Sequence, residues 1–229
     1  MAFRKKIQLI LEYNADIIII QESENLDKIK EEDLINYPNR IWHGDNKNKG
    51  ILIISKENYD IEILDIHNPE FRYILPITVN NEKTRFNLFA IWAQNNIPEP
   101  SKQYIAQVWL ALQEYKNLLN ENCILIGDFN SNTIWDNDYP KIANHTDVVN
   151  FLNDYNIKSI YHLKNDETHG SETIKTLAFT KNTDKLYHID YCFASRSFYE
   201  NSNMKIESFD NWLDKSDHVP MIIDFNIDN

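Results

Sequence analysis

Two periods of apolar and polar residues alternate along the chain, and they predict the order of its helices and strands. Apolar residues recur at helical spacing in FRKKIQLILEYN, which predicts a first helix with one face formed by Phe3, Ile7, Ile10 and Leu11. The run ADIIIIQE that follows is too short for a buried helix and predicts a buried strand. Later strands are predicted at GILIIS, YDIEILDI, FRYILPITV, TRFNLFAIWA, CILIG, LYHIDYCFA, MKIESF and VPMIIDF.

A second helix is predicted from about Ser101 to Leu119, with Ser101 as its N-cap. Its inner face would be formed by Ile105, Val108, Trp109, Leu112 and Leu119. A short third helix is predicted near Asp147 to Tyr155. Runs of strands with helices between only some of them favour an α/β sandwich whose sheet faces are covered by helices. The late strands have no full helix between them, so at least part of the sheet should be antiparallel.

Composition favours one domain over residues 1–229. The chain is 42% hydrophobic and 25% charged, without a repeat, linker or low-complexity run. No apolar run approaches the roughly 20 residues of a membrane helix, and no secretory signal follows the basic start. Cys123 and Cys192 lie in apolar stretches and are expected to be reduced core residues. A cytoplasmic monomer without membrane contact is therefore expected.

The net charge of -12 restricts the partners that the chain can bind by electrostatics alone. A protein that holds nucleic acid mainly by neutralising phosphates is usually basic. A long nucleic-acid footprint is therefore disfavoured. A metal-dependent site acting on a phosphoester stays compatible with the acidic composition.

Several apolar strands end in, contain or directly follow a titratable or amide group. These groups are Glu22, Asp128, Asn130, Asp190, Asp217 and His218. The residues around Asp128 are also turn formers, and Glu22 could cap the next segment. Asp190 is harder to explain in that way, because an unpaired buried carboxylate is costly, and a histidine is a natural partner for it. Together the carboxylates suit a hard cation such as Mg²⁺ or Mn²⁺ better than zinc.

The stretches around these residues make the sequence resemble the endonuclease/exonuclease/phosphatase superfamily, whose members share the fold of deoxyribonuclease I. The resemblance covers nearly the whole chain and is strongest toward small bacterial members. It rests on four motifs in family order, IIQE (19–22), IGDFNS (126–131), HIDYCF (188–193) and SDHVP (216–220). It implies a four-layer αββα sandwich, in which two mixed β-sheets pack face to face with helices outside.

The resemblance also implies a role for each motif in attack by water on phosphorus. Glu22 would be the principal ligand of Mg²⁺ or Mn²⁺, and Asp217 would lie on the metal or nucleophile side. Asp128 would orient or deprotonate the nucleophile, and Asn130 would hydrogen-bond a phosphoryl oxygen.

The last two motifs would place the Asp190 carboxylate behind His218. This carboxylate would raise the pKa of the imidazole above about 6.5. His218 would then act as the base or as a cationic phosphate clamp. Whether Asp128 or His218 is the base stays open.

The chain departs from the family pattern at two places. Members begin with a strand that ends in an Asn, whereas this sequence starts at the helix. Either Met1 is an internal methionine of a longer protein, or a metal ligand has been lost. The first interpretation is favoured because a missing interior strand leaves unpaired backbone groups. Near the end of NLFAIWAQN, Trp92 and Asn95 stand where relatives contact phosphate, although Trp92 could equally be a core residue.

The leading hypothesis is a metal-dependent hydrolase of phosphoester bonds, a phosphodiesterase or nuclease acting on nucleic acid or a nucleotide. One alternative is a phosphomonoesterase of sugar or inositol phosphates. The other is a catalytically inactive binding module with the same fold. Four histidines, His43, His145, His162 and His169, have no partner identifiable from the sequence and are expected in exposed loops.

Overall fold

The computed structural model describes residues 3–138 and 142–226, which form thirteen strands and six α-helices. The strands are β1 Ile17–Ser23, β2 Asn39–Asn46, β3 Lys49–Ser55, β4 Asp60–Ile63, β5 Ile74–Asn80, β6 Arg85–Trp92, β7 Cys123–Asp128, β8 Ile157–Ser159, β9 Leu177–Ala178, β10 Leu186–Tyr187, β11 Asp190–Ser195, β12 Ser202–Ile206 and β13 Met221–Phe225. The helices are α1 Ile7–Leu11, α2 Ile105–Glu114, α3 His145–Asp154, α4 Ile160–Asn165, α5 Arg196–Tyr199 and α6 Phe209–Trp212.

The largest sheet has six strands in the order β4-β5-β6-β7-β11-β8. Neighbouring strands in this sheet pair antiparallel, except that β6 and β7 pair parallel. The chain passes from the end of β6 to the start of β7 through α2. A three-stranded sheet has the order β1-β3-β2, and two ribbons pair β12 with β13 and β9 with β10. The mixed pairing agrees with the expectation that part of the sheet is antiparallel.

Three apolar cores separate four layers. In the first core, Phe89 and Leu125 of the six-stranded sheet pack with Val108 of α2 and Leu152 of α3. In the second, the opposite face of that sheet packs against the alternate residues of β3, such as Ile53. In the third, the remaining residues of β3 face the N-terminal helical segment. Because side chains alternate along a strand, β3 can serve both cores, and the predicted αββα sandwich is confirmed.

The second helix is shorter than its pattern predicts. The prediction of Ser101 as N-cap is wrong, because α2 begins at Ile105 after the N-cap Tyr104. The N–H of Tyr104 donates to the carbonyl of Gln94 at 2.7 Å, so a contact distant in sequence holds this residue outside the helix. Of the five residues predicted for its inner face, Ile105, Val108 and Leu112 are buried in the helix, whereas Trp109 is partly buried and Leu119 lies beyond the end of α2 at Glu114.

A cleft of about 750 Å³ lies between β1 and β13. Among the described strands, β1 pairs only with β3 and β13 only with β12, so both expose one edge to this cleft. Its wall includes Ile19 and Ile223, which are only half-buried although they face the second core, and its floor includes Leu88 and Ile124.

None of the helices in the described ranges combines the length and the apolar character needed to cross a membrane. Met1, and with it the expectation about the start of the protein, lies outside the described residues.

Candidate active site

The two aspartates at the ends of the central strands lie side by side. Asp190 opens β11 and stands directly opposite Asp128, the last residue of β7, in the antiparallel register. Residues opposite each other in such a pair project to the same face of the sheet. His218 approaches from the segment before β13, and one polar atom from each of these three side chains lies within 4.8 Å of the others.

Asp190 and His218 form an ion pair. The Nδ1 of His218 lies 2.9 Å from Oδ2 of Asp190. Thr176 positions both partners, because its Oγ1 accepts from the N–H of Asp190 and its carbonyl accepts from the residue after His218. Burial lowers the pKa of His218, but the carboxylates, Asp190 first, outweigh burial and raise this pKa to about 10. The imidazole is therefore cationic at neutral pH in this arrangement.

Asp128 is a buried carboxyl with its hydrogen bonds supplied by one neighbour. Its Oδ1 accepts from the backbone N–H of Asn130 at 2.8 Å, and its Oδ2 accepts from the Asn130 carboxamide at 2.9 Å. Burial, followed by the adjacent Asp190 carboxylate, raises the pKa of Asp128 to about 8. A carboxyl with a pKa near the working pH suits general acid–base chemistry.

The carboxamide of Asn130 already has both of its N–H donors engaged. One donates to Asp128 and the other to the carbonyl of Ala93 at 2.9 Å. Asn130 adopts a left-handed φ of 47°, which turns its side chain back onto Asp128. In this geometry Asn130 positions Asp128, and donation to a phosphoryl oxygen would require one of these bonds to break.

Glu22 and Asp217 line the cleft beside the three-residue cluster. Glu22 lies at an irregularity of β1 between Ile20 and Ser23, with a left-handed φ of 58°. Its Oε2 pairs with Nζ of Lys49 at 3.0 Å. Asp217 is half-buried, and its negative charge helps to raise the pKa of His218.

Lys6, which no sequence motif indicates, is a basic residue at this end of the cleft. Burial lowers the pKa of the Lys6 ammonium, although the carboxylates of Asp217 and Glu22 oppose this effect. No local pattern could have identified it, because Lys6 meets these acids only through the packing of the N-terminal segment.

The two residues predicted to bind substrate are not among the residues that line the cleft. The Trp92 side chain is 6% exposed and packs against Tyr73 with ring centroids 4.8 Å apart. This environment favours the core alternative for Trp92. Asn95 is exposed and is not among the residues that line the cleft. Trp92 is nevertheless the register partner of Asp128 on the neighbouring strand β6, and the role of both residues in substrate binding stays a prediction.

The expectation of exposed loop histidines is wrong for His145, which is fully buried. His162 and His169 are partly buried and stack on each other with centroids 3.5 Å apart. His43 is also partly buried and packs edge-on against His67. His145, His162 and His169 belong to a second cluster behind the strands of the site.

Comparisons with known proteins agree on the fold. The sequence matches the model described as "Endonuclease/Exonuclease/phosphatase family" over residues 7–218. No curated protein matches the chain by sequence. Among solved structures, an AP endonuclease from Archaeoglobus fulgidus is 17% identical, with a TM-score of 0.70 over 96% of this chain and 92% of that chain.

Two further structures show the same likeness. The 3′-5′ exonuclease NExo from Neisseria meningitidis is 18% identical, with a TM-score of 0.67 over 97% of this chain and 94% of that one. A truncated TDP2 from Caenorhabditis elegans is 14% identical, with a TM-score of 0.66 over 96% and 88% of the two chains. At these identities the likeness establishes the fold alone.

Proposed function

We propose, from the premise that this chain belongs to the endonuclease/exonuclease/phosphatase family, that it is a divalent-metal-dependent phosphodiesterase. The observation that carries the proposal is the convergence of Asp128, Asp190 and His218 at one end of the cleft. The names of the similar structures, an AP endonuclease and a 3′-5′ exonuclease, support phosphoester hydrolysis in general.

His218 is proposed to bind the phosphate. Because Asp190 keeps the imidazole cationic, its free edge can donate to a non-bridging phosphoryl oxygen and stabilise the charge that develops there. Asp190 itself accepts from Nδ1 and fixes the orientation of the ring. A cationic His218 cannot accept a proton, which favours the phosphate clamp over the base among the two roles left open by the sequence.

Asp128 is proposed to activate the attacking water. With a pKa of about 8, Asp128 is ionised above about pH 8 and in a minor fraction at neutral pH, and this ionised form can take a proton from the water. Asn130 would hold the carboxyl in place through its two hydrogen bonds to Asp128. This assignment gives Asn130 a positioning role, unlike the phosphate contact that the family resemblance implies.

The chemistry of the nearby donors fits Mg²⁺ or Mn²⁺. Glu22 and Asp217 are carboxylates that line the same end of the cleft, and hard divalent cations prefer oxygen ligands. We propose that these two residues hold the ion, with Glu22 exchanging its contact with Lys49 for the metal. A bound ion would supply positive charge for the phosphoryl oxygens.

The overall charge of the chain limits the class of phosphoester that it can bind as a substrate. With a net charge of -12, the protein has little general attraction for a long polyanion, so contacts should be concentrated at the scissile phosphate. A nucleotide or a short stretch of nucleic acid meets this condition. Lys6 and Lys49 supply positive charge beside the acidic residues of the site.

The test is hydrolysis of bis-p-nitrophenyl phosphate and p-nitrophenyl phosphate with Mg²⁺, Mn²⁺ or EDTA. We expect metal-dependent turnover, faster on the diester, that is lost in His218→Ala and Asp128→Asn. His67→Ala and Asp60→Asn are the matched controls, because His67 packs against His43 and Asp60 is exposed on the edge strand β4. Both controls should keep the activity of the unmodified chain.

The other possible outcomes of this assay lead to different conclusions. Preference for the monoester would replace the proposal with a phosphomonoesterase. Absence of hydrolysis above the Asp128→Asn background, in folded protein with excess metal, would identify a binding module. Equal losses in the control variants would show that the assay reports folding and not the site.

A further inference from the structure

A second cluster of titratable side chains lies behind the candidate active site. It contains four imidazoles and one carboxylate from separate parts of the chain. These are His145 at the start of α3, His162 in α4, His169 and Glu172 in the loop before β9, and His188 between β10 and β11. None of these groups has a role in the proposed phosphoesterase chemistry, so their assembly calls for a separate explanation.

Three of these side chains bring potential metal-ligand atoms close together, although the stacked rings of His162 and His169, with centroids 3.5 Å apart, must turn before both can direct a nitrogen at one ion. Polar atoms of His162, His169 and Glu172 all lie within 4.8 Å of one another. The Nε2 of His162 is 3.2 Å from Oε1 of Glu172. Ligands of a tetrahedral zinc ion at 2.0–2.1 Å are separated by about 3.4 Å, so this pair already has the required separation.

Groups around the three side chains hold them in place. The Nδ1 of His162 lies 2.7 Å from Oγ of Ser159, which leaves Nε2 directed to Glu172. The carboxylate of Glu172 accepts from the N–H of Gly170 and from the Asn132 carboxamide, both at 3.0 Å. Such outer contacts orient the ligands of known metal sites.

A hydrogen-bond network without a metal accounts less well for this cluster. Glu172 is 2% exposed, and a buried carboxylate is costly unless it is paired with positive charge. In the described part of the chain, its only ion-pair partner is His162, which pairs as an ion only when protonated. The fully buried His145 keeps its Nδ1 without a partner. A bound cation would neutralise Glu172 without protonating any imidazole.

We propose that His162, His169 and Glu172 form a second metal site, separate from the catalytic cluster, that takes zinc. Two imidazoles and one carboxylate are a donor set that zinc accepts, with one tetrahedral position left for water. The site would join α4 to the loop before β9. Through Asn132, it would also hold the loop that carries Asn130, which positions Asp128. The proposal does not depend on the phosphoesterase activity.

The test measures zinc itself. Protein stripped with a chelator and desalted is titrated with ZnCl₂, and bound zinc is counted after a second desalting. We expect one tightly held equivalent in the unmodified chain and in His218→Ala, whose substitution lies in the catalytic cluster. We expect that equivalent to be lost in His169→Ala and Glu172→Gln. Ser159→Ala, which removes only an outer contact, should weaken zinc binding by about tenfold to a hundredfold.

A second measurement covers the case in which a ligand variant does not fold. Cobalt added to the stripped, unmodified chain should give the intense visible bands of tetrahedral Co²⁺, and zinc should displace them. Zinc should also raise the unfolding temperature of the unmodified chain. The proposal is overturned if the unmodified chain retains no zinc and shows no tetrahedral cobalt bands. It is equally overturned if His218→Ala loses the equivalent while His169→Ala keeps it.

Discussion

The Asp190→Asn variant is expected to return the pKa of His218 from about 10 toward the ordinary histidine value of about 6.5. The asparagine keeps a carbonyl oxygen that can accept from Nδ1, so the ring should stay in place while the charge is removed. The substitution therefore isolates the electrostatic part of the pair.

The magnitude follows from the geometry of the ion pair. At the observed 2.9 Å, two unit charges attract by about 1.4 kcal/mol in a water-like dielectric and by about 6 kcal/mol at an effective dielectric of 20. Since one pKa unit is about 1.4 kcal/mol, this range corresponds to a pKa difference of about one to four. The side chains are 15% and 32% exposed, so solvent screens part of the attraction. We expect the pKa to fall by about two to three.

The assay is an NMR pH titration of the His218 ring, with His67 as an internal reference. Asp60→Asn is the matched control, because β4 lies four strands from β11 in the six-stranded sheet. The control should leave the pKa of His218 unchanged. A pKa near the unmodified value in Asp190→Asn would refute the reasoning, because another group would then be holding the proton on the imidazole.

Three further predictions concern stability and reactivity. Gly127→Ala should lower the free energy of unfolding in urea by about 3 kcal/mol or more. The reason is that Gly127 has a φ of 138° and that an added Cβ would lie 2.0 Å from the carbonyl oxygen of Ile91. A loss under about 1 kcal/mol would contradict this. Burial lowers the pKa of His188, so the unfolded state binds more protons in acid, and stability should fall as the pH drops below about 6.5. His188→Gln should reduce that slope in urea titrations at several pH values, and an unchanged slope would exclude His188 as its source. Burial raises the pKa of both Cys123 and Cys192, so a thiol reagent should modify them only after denaturation, and rapid native-state labelling would argue against this burial.

The parts of the site that the sequence predicts are those encoded by strand ends. Asp128 and Asp190 each lie at the end of an apolar run, and pairing of those runs brings the two carboxylates together. The expected partner of Asp190 is His218, and the two are hydrogen-bonded. For the two aspartates a local pattern indicates the position in a strand, and the pairing of β7 with β11 brings the carboxylates together.

The parts that the sequence does not predict depend on contacts between distant segments. Lys6 reaches the cleft only because the N-terminal segment packs beside β1 and β13. His145, His162 and His169 come from two helices and a loop, with no short spacing that is typical of a metal motif. The family resemblance implies a phosphate contact for Asn130, and only the structure reveals that both of its carboxamide N–H groups are engaged.

The open cleft between β1 and β13 has a thermodynamic consequence. A chain of 229 residues ordinarily unfolds with a heat-capacity increase of about 3 kcal/mol/K, which comes from apolar surface newly exposed to water. Half-buried side chains such as Ile19 and Ile223 are already partly hydrated in the folded state, so they add less to that increase. The urea m-value should be reduced for the same reason. The stability curve of this protein is therefore expected to be flatter than that of a closed sandwich of equal length.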